Sequence, residues 1–344
     1  MASAADRPGT RAPRIRDVAE RAGVGVGTVS RVLNDSPGVA RATREHVRAV
    51  VDELGYRPSA AARRLSLGRT MTLGVIAPFF TRPSVVERLR GIDDVIADSA
   101  YDLMLFNVET PEQRAAALTR FARRDRVDGV IVISLPLGDG EVRALGRDGV
   151  HAVVVDGAHR ALPHVTIDDV EGGRVAVRHL LEAGHRRIAF VGDREGNPFG
   201  FGSSQRRLQG MTEVLGDAGV GLPAELVRRG PHGRSAAHAM SAELLALASP
   251  PTAIFAASDV QALGVLDAAQ EAGAAVPGAL SVIGFDDVDL AEAAGLTTVR
   301  QPLRESGRAG ARLLLGELGD DDGAIGALPA VELVRRRTVG RHQG

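Results

Sequence analysis

The sequence predicts a small all-α domain followed by a larger α/β domain whose parallel sheets are flanked by helices. Apolar residues recur at helical spacing on either side of a glycine-rich corner in residues 15–34, IRDVAERAGVGVGTVSRVLN. From residue 72 onward, short apolar runs alternate with amphipathic segments, as in sheets that helices cover on both faces. The 344 residues are enough for two or three domains, and a 44% share of hydrophobic residues supports a sizeable core.

The first predicted helices face each other across a sharp corner. Glycine permits the positive φ that Gly23-Val24-Gly25 needs to turn the chain. Two short helices joined in this way place the second one in a DNA groove. The polar residues facing outward on that second helix are of types that contact base edges and phosphates, namely Thr28, Ser30, Arg31 and Asn34. We expect helices over 16–22, 26–33 and 41–53, after which Pro58 prevents continuation.

Charge is distributed unevenly along the chain. Residues 1–69 contain 13 Arg and 7 acidic residues, whereas the whole chain has a formal net charge of −1. A basic N-terminal segment followed by an acidic remainder predicts a polyanionic partner for the N-terminal segment alone. Residues 1–13 are polar and rich in Ala, Pro and Arg, and we expect a disordered tail there.

Several classes of protein are excluded by composition. The chain has no cysteine, so it forms neither a disulfide framework nor a thiolate metal site. It has no apolar run long enough to span a bilayer, and its first residues lack the apolar core of a secretory signal. We therefore expect a cytoplasmic protein, without a metal or a cofactor.

Polar residues follow several of the predicted strands. We expect strands over 72–77, 101–107, 129–134, 151–155, 165–168, 187–191, 252–256 and 280–285. Ligands of parallel sheets gather at the carboxyl ends of strands, where Asp156, Asp168, Ser258 and Asp286 are found. Carboxylates, hydroxyls and amides suit the hydroxyl groups of a sugar, which both donate and accept hydrogen bonds.

Aromatic residues are rare in this chain, and four of its nine Phe lie in two loops that follow strands. Phe79 and Phe80 lie in one of these loops, and Phe199 and Phe201 lie in the other, GNPFGFG. Such side chains offer apolar faces on which a ring can stack, although core packing is an equally good interpretation for Phe80 and Phe199.

Ordered motifs along the chain resemble the lactose/galactose-repressor family of bacterial transcription regulators. The headpiece motif is DVAERAGV…TVSRVLN, followed by LGYRP, and the later motifs are PTAIFAASDVQALGVL, VPGALSVIGFDD and LTTVRQPL. The resemblance covers roughly residues 14–340. It implies an all-α helix-turn-helix headpiece over 14–57, a hinge helix or linker over 58–69, and an α/β two-lobed periplasmic-binding-protein-like sensor domain over 70–340, with three crossings between the lobes.

The resemblance assigns base reading to Val26, Gly27 and Arg31 at the start of the second helix. An arginine there can contact guanine O6 and N7 together, whereas a phosphate contact alone is the competing interpretation. The family resemblance also implies that Leu65 wedges into the minor groove and that Ala62 lets two hinge helices pack closely. The complete set of expected DNA-binding residues is Arg16, Val26, Gly27, Thr28, Ser30, Arg31, Asn34, Thr43, Tyr56, Ala62 and Leu65.

The family resemblance also marks effector-binding positions. Arg207 matches the arginine that holds the effector, Asp286 matches a contact position, and Gln301 lies at a crossover. The complete set of expected effector-binding residues is Phe79, Phe80, Asp156, Asp168, Phe199, Arg207, Ser258, Asp286 and Gln301. Ser258 stands where the family usually has Asn, so the effector's identity stays open. Arg82 either reaches an acidic or phosphorylated ligand or is a surface residue.

The sequence thus predicts a homodimeric regulator, expected to repress, that binds a palindromic operator and responds to a small molecule, expected to be a sugar or a sugar derivative. The segments 84–97 and 120–125 are candidates for the dimer interface.

A sugar-binding transport protein would need a secretory signal and no headpiece. An enzyme is disfavoured because the adjacent carboxylates of Asp286-Asp287 point to opposite faces of an extended strand, and no catalytic motif occurs. Induction and corepression both remain open.

Overall fold

A computed structural model describes residues 13–33, 36–57 and 68–342, and the chain divides into two compact units, Met1–Thr70 and Met71–Gly344. The remaining residues lie outside the described part of the chain. They include almost all of the expected tail, most of the expected hinge, and the expected DNA-binding residues Asn34, Ala62 and Leu65.

The smaller unit contains three helices at the predicted places: α1 (Ile15–Ala22), α2 (Val26–Leu33) and α3 (Arg41–Leu54). Gly23 ends α1 with a φ of 62°, and the Val24 amide donates to the Ala19 carbonyl at 3.0 Å. This is the left-handed helix end for which glycine is suited. A buried apolar cluster joins the three helices and consists of Val18, Ala19, Ala22, Val29, Val32, Val47, Val50 and Tyr56.

The larger unit contains two sheets, which define two lobes. The sheet of lobe one has the order β2-β1-β3-β4-β5, and that of lobe two has the order β11-β10-β9-β8-β6-β7. The lobe-one strands are β1 (Thr72–Pro78), β2 (Asp102–Val108), β3 (Gly129–Ile133), β4 (His151–Val155) and β5 (His164–Val165). The lobe-two strands are β6 (Ile188–Asp193), β7 (Val227–Gly230), β8 (Ala253–Ala256), β9 (Ser281–Asp286), β10 (Thr297–Arg300) and β11 (Glu332–Val334). All pairings are parallel except that of β11 with β10.

Helices cover both sheets, as the alternating pattern predicted. Those of lobe one are α4 (Pro83–Ile96), α5 (Pro111–Phe121), α6 (Asp139–Arg147) and the later α12 (Leu303–Glu317). Those of lobe two are α7 (Asp169–Glu182), α8 (Ser203–Asp217), α9 (Arg234–Leu245), α10 (Asp259–Glu271) and α11 (Asp289–Ala294). The chain therefore passes between the lobes three times, before α7, before α12 and before β11. No helix in the described part of the chain is long and apolar enough to cross a membrane.

One predicted strand was wrong, and two observed strands, β7 and β10, were not among those predicted. The segment expected to be a strand over 165–168 pairs only at His164–Val165, because Asp168 instead begins α7 as its N-terminal cap. Strand β7 was not predicted, since its sequence VRRG has no apolar run.

Close helix packing fixes the position of α8 in lobe two. A Cβ added to Gly210 on α8 would lie 1.9 Å from the Val170 carbonyl oxygen, and one added to Gly173 on α7 would lie 2.1 Å from that of Arg207. Only glycine permits this approach of two backbones. The start of α8, which carries Arg207, is consequently held against α7.

Ion pairs hold α4 against α12 in lobe one. Asp94 accepts hydrogen bonds from Arg304 at 2.7 and 2.6 Å and from Arg308 at 2.8 Å. The hydrogen bonds from Arg304, opposed by desolvation and supported by Arg308, lower the pKa of Asp94 to about 2. The carboxylate therefore stabilises the fold above its ordinary pKa of 3.8, and this stabilisation is lost as the pH falls toward 2.

We expect Asp94→Asn to lower the melting temperature at pH 7, because it removes the ionised partner of both arginines. The difference between the two proteins should shrink as the pH falls from 5 toward 2, since the wild-type carboxylate becomes protonated there. Thermal unfolding of both proteins across this pH range measures the effect. A difference independent of pH would show that lost packing, and not lost charge, destabilises the variant.

Candidate nucleic-acid interface and ligand cleft

Helix α2 presents an exposed surface in the smaller unit. Val26 is 41% exposed although it is apolar, and Gly27 and Arg31 are exposed beside it. The Arg31 Nε donates to the Gly27 carbonyl at 3.2 Å, which lays the side chain along this surface. The backbone at Gly27 is open, with only the Arg31 guanidinium within 4 Å of an added Cβ. A partner can therefore approach the helix backbone closely here.

The other expected DNA-binding residues in the described ranges differ in exposure. Arg16 is exposed on α1, whereas Thr28, Ser30 and Thr43 are half-buried. Tyr56 is only 7% exposed and packs in the core of the three helices, where desolvation raises the pKa of its hydroxyl. The structure thus gives Tyr56 a packing role in the core of the three helices.

A polar cleft lies between the carboxyl ends of the two sheets. It encloses about 600 Å³ that no protein atom occupies, part of which is open to solvent. Lobe one lines it with Pro78, Arg82, Ser84, Val85, Arg88, Ser134 and Asp156, and lobe two lines it with Asp193, Phe201, Ser203, Ser204, Arg207, His232, Ala257, Ser258 and Asp286. Gln301 lies at the crossover between the lobes and completes the wall.

A chain of hydrogen bonds crosses the cleft from one lobe to the other. In lobe one, Asp156 accepts a bond from the Ser134 hydroxyl at 2.6 Å and pairs with Arg88 at 3.1 Å. The Arg88 guanidinium also donates to Gln301 Oε1 at 3.0 Å, and Gln301 Nε2 donates to Asp286 Oδ1 at 2.5 Å. The buried Nε of Arg88 has no acceptor among the residues that the structure describes. Arg88 therefore keeps one N–H group that no described residue accepts.

Arg207 is the central cation of lobe two. Its Nε donates to Asp169 at 2.9 Å, its Nη1 donates to the Ala257 carbonyl at 2.5 Å, and its guanidinium lies 3.6 Å from the centre of the Phe285 ring. The guanidinium also lies 3.9 Å from Asp286. Burial opposes its charge, but the nearby carboxylates outweigh burial and raise its pKa. The Arg207 guanidinium is therefore held in place by its partners and stays charged where it lines the cleft.

A second polar group of lobe two lies at the end of β6. Asp193 accepts hydrogen bonds from His232 at 3.0 Å and from Gln261 at 3.1 Å. Burial alone would raise the pKa of Asp193, but its bond with His232 and the charges of His232, Arg82 and Arg207 lower it. The carboxylate is therefore ionised at neutral pH and available to a donor in the cleft.

Asp286 is almost completely buried at the end of β9, with a positive φ of 122°. Burial raises its pKa, although Arg207 and the Gln301 amide oppose this rise. Behind it, Asp259 accepts bonds from the Thr298 hydroxyl and the Val288 amide, and burial together with the charge of Asp286 raises its pKa well above the ordinary value.

The structure brings most of the expected effector-binding residues together. Asp156, Arg207, Ser258, Asp286 and Gln301 all line the cleft, and Ser258 also accepts from the Gln261 amide as the N-terminal cap of α10. Phe79 and Phe199 line an adjoining cavity.

Phe80 and Asp168 line neither cavity. Phe80 is 37% exposed, and its amide donates to Asn107 Oδ1 at 3.0 Å. Asp168 accepts from the Glu171 amide at 2.9 Å because it caps α7. Their expected effector contacts therefore have no geometric support.

Sequence reasoning missed seven polar residues of the cleft, namely Ser84, Arg88, Ser134, Asp193, Ser203, Ser204 and His232. Asp193 ends a strand and could have been found by the same rule that selected Asp156. Arg88 lies within the segment 84–97, which the sequence offered as a dimer interface. Among the described residues, no group of His, Asp and Glu could hold a metal ion.

Comparison with known families agrees with both parts of the geometry. Residues 14–59 match the model "Bacterial regulatory proteins, lacI family", and residues 177–339 match the "Periplasmic binding protein-like domain". Catabolite control protein A from Priestia megaterium is 33% identical over 321 residues, which cover 92% of this chain and 96% of that protein.

Two solved structures extend the similarity to the whole architecture. The lac repressor dimer bound to operator and the anti-inducer ONPF has a TM-score of 0.80 and 27% identity, covering 96% of this chain and all of that one. The complex of the transcriptional regulator CelR with cellobiose has a TM-score of 0.67 and 32% identity, covering 95% of this chain and 99% of that one. These relatives are transcription regulators and not enzymes, and the chain belongs to the LacI family, as a regulator with a helix-turn-helix headpiece and a two-lobed sensor domain.

Proposed function

We propose that the chain is a homodimeric repressor that binds a palindromic operator and is controlled by a carbohydrate in the cleft. Residues 14–57 act as the headpiece, 58–69 as the hinge and 70–340 as the sensor and dimerisation domain. The observation that carries the proposal is the chain Asp156–Arg88–Gln301–Asp286, an ion pair followed by two hydrogen bonds, which links the two lobes along a polar cleft. A ligand that changes this link shifts the lobes, and two sites with two states make an allosteric switch.

The exposed residues of α2 support reading of base edges. Arg31 has the fork of donors that pairs with guanine, and the exposed Val26 provides an apolar contact for a thymine methyl group. The open backbone at Gly27 allows the helix to enter the groove deeply. Arg16, Thr28, Ser30 and Thr43 act on the neighbouring phosphates or base edges. Asn34, Ala62 and Leu65 stay in the proposal on the family resemblance alone, with Leu65 as the minor-groove wedge.

The chemistry of the cleft favours a neutral, polyhydroxylated ligand. The guanidinium groups of Arg88 and Arg207 already pair with the carboxylates of Asp156 and Asp169. A further anionic group is therefore not required for charge balance. Arg82, the cation that could have reached an acidic ligand, stacks on the Phe79 ring at 4.0 Å. Hydroxyl groups, in contrast, can accept from Arg88 and donate to the carboxylates.

Strand β2 supports the homodimer. It is the edge of the lobe-one sheet, yet its sequence is DLMLFNV and Leu105 is 41% exposed. An exposed apolar edge strand is a template for pairing, and proteins usually cover or charge it. Helix α4, the segment offered by the sequence, is partly covered by α12. We therefore place a second copy of the chain against β2.

Leu105→Glu tests this placement. The carboxylate would be desolvated in an apolar dimer interface, so we expect the variant to sediment as a monomer at concentrations at which the wild type sediments as a dimer. Arg90→Glu, an exposed charge change on α4, is the control and should remain a dimer. A dimeric Leu105→Glu protein would exclude β2 as the interface.

Selection of DNA by the full-length chain tests the function itself. Random duplexes are incubated with the purified protein, and bound sequences are amplified and read over several rounds. We expect an enriched palindrome whose half-sites match the two-fold symmetry of a dimer. Enrichment with and without added sugars distinguishes induction from corepression. No enrichment under either condition would contradict the proposal.

A further inference from the structure

A group of exposed arginines lies at one edge of the lobe-one sheet. Arg123, Arg124 and Arg126 occupy the loop between α5 and β3, and Arg147 is the last residue of α6. The loop and the end of α6 are neighbours, since the Arg124 Nη1 lies 3.2 Å from the position of a Cβ on Gly149, just after α6. We call these four arginines the arginine edge.

The arginine edge carries more positive charge than its surroundings neutralise. Arg123 pairs with Asp125 at 2.8 Å, whereas the other three arginines form no ion pair with any residue that the structure describes. Asp148 also attracts Arg123, but this attraction is the smallest of the contributions to the raised pKa of Arg123. The excess is unusual for this part of the protein, because residues 70–344 are acidic overall.

Helix ends account for only one of these arginines. Cations are favourable in the last turn of a helix, where backbone carbonyls point outward, and Arg147 lies in the last turn of α6. The three arginines of the loop lie beyond Phe121, the last residue of α5, and precede the buried Val127. Their charges are exposed to solvent and are therefore free to meet a partner outside the chain.

The arginine edge adjoins the point at which the chain enters lobe one. The Asp128 amide, two residues after Arg126, donates to the Thr72 carbonyl at 2.9 Å, and the Asp128 carboxylate accepts from the Met71 amide at 2.8 Å. Thr72 begins β1, the first strand after the headpiece helices. A duplex bound by the headpiece is therefore tethered to this edge through a short stretch of chain.

We infer that the arginine edge binds the phosphate backbone of the DNA that flanks the operator. The inference rests on the proposed function, because the headpiece must first bring the duplex to the protein. B-DNA carries one negative charge per about 1.7 Å of its axis, and arginines bind it irrespective of sequence. The edge therefore adds affinity without adding base preference.

A second copy of the chain is a poorer occupant of this surface. The sequence offered the segment 120–125 as a candidate for the dimer interface. In a two-fold interface the same patch of both copies comes together, so the arginines of one copy would approach those of the other. Like charges brought together in this way oppose association.

Duplex length and salt concentration test the inference with the full-length protein. One duplex is trimmed to the selected sequence, and the other carries about two helical turns of arbitrary sequence on each side of it. We expect the wild type to bind the long duplex about tenfold more tightly at about 50 mM salt, because additional phosphates are neutralised. Its affinity for the long duplex should also fall more steeply with salt, by about 0.9 in the logarithmic slope for each additional phosphate.

Two variants of equal net charge assign this gain to the arginine edge. The test variant replaces the three loop arginines: Arg123→Ala, Arg124→Ala and Arg126→Ala. The control variant replaces three exposed arginines of lobe two: Arg178→Ala, Arg186→Ala and Arg335→Ala. The test variant should bind the short duplex as the wild type does but gain less than about twofold from the flanks, whereas the control should keep the full gain. Thermal unfolding verifies that both variants are folded.

Three outcomes would overturn the inference. They are equal affinity of the wild type for both duplexes, an undiminished gain in the test variant, and an equal loss by the test variant on both duplexes. The last result would place the arginines against the protein's own headpiece or hinge. Binding of the short duplex by the wild type reports the proposed function alone, and its absence would contradict that function. The salt slopes of the two variants on a long duplex of unrelated sequence would then still decide whether the arginine edge contacts phosphates: equal slopes would exclude it.

Discussion

Arg207→Ala is expected to lower the free energy of unfolding by about 3–5 kcal/mol, because it removes the buried cation that lies beside two buried carboxylates. Asp169 is 1% exposed as a side chain and Asp286 is 7% exposed as a residue, and both lie beside the Arg207 guanidinium. The same substitution should abolish binding of any ligand in the cleft. Urea unfolding followed by circular dichroism measures the first effect, and titration with the best ligand measures the second.

Arg206→Ala is the matched control for this substitution. Arg206 donates to the same Asp169 carboxylate at 3.0 and 2.7 Å, but its side chain is 47% exposed. Its loss should cost about 1 kcal/mol or less, as for exposed ion pairs. If Arg207→Ala does not fold, Arg207→Lys retains the charge and should give an intermediate loss of stability. Equal losses in Arg206→Ala and Arg207→Ala would contradict the central role given to Arg207.

Arg31→Ala should weaken binding to the selected duplex by about 1–3 kcal/mol and relax the preference at one base pair of each half-site. The reason is the loss of a two-pronged hydrogen bond to guanine from an exposed position on α2. Fluorescence anisotropy on duplexes with each of the four base pairs at that position measures both effects at one salt concentration.

Arg31→Lys separates base reading from attraction to phosphate. Lysine keeps the positive charge but lacks the planar fork, so nonspecific affinity should persist while the guanine preference disappears. A loss in Arg31→Ala that is uniform over all four base pairs, with full recovery in Arg31→Lys, would reduce Arg31 to a phosphate contact.

The helix boundaries of the headpiece could be predicted from sequence to within one residue, because the signals that determine them lie in neighbouring residues. The apolar spacing of Val18 and Ala22 on α1, and the positive φ of Gly23, depend on near neighbours only. Tyr56 was predicted as a DNA-binding residue from the family resemblance, which identifies a position without telling whether its ring faces the core, and the ring is buried.

The cleft was predictable only where strands end. Asp156 and Asp286 follow apolar strands and lie in the cleft, whereas Asp168 does not. Its spacing to Glu171 is the pattern of a helix cap, and this local signal outweighs the rule for strand ends. Arg88 could not be found in this way, because its burial arises from residues more than 60 positions away.

The contacts of the loop phenylalanines illustrate a further limit. The sequence located these phenylalanines in two loops, but the contact between Phe79 and Phe199 joins segments 120 residues apart and two different lobes. No periodicity encodes such a contact.

Under the proposed allosteric switch, a ligand in the cleft changes how well the headpiece binds its operator. Anisotropy with the selected duplex, in excess bulk competitor DNA, measures this directly for the wild type and for Asp286→Asn, each with and without the tightest sugar. The account predicts a preference of about 1,000-fold or more over bulk DNA, a sugar-dependent change of about 5–150-fold in the wild-type Kd, and almost no sugar effect in Asp286→Asn with its DNA affinity intact. No preference for the duplex, or an equal sugar effect in both proteins, would contradict it.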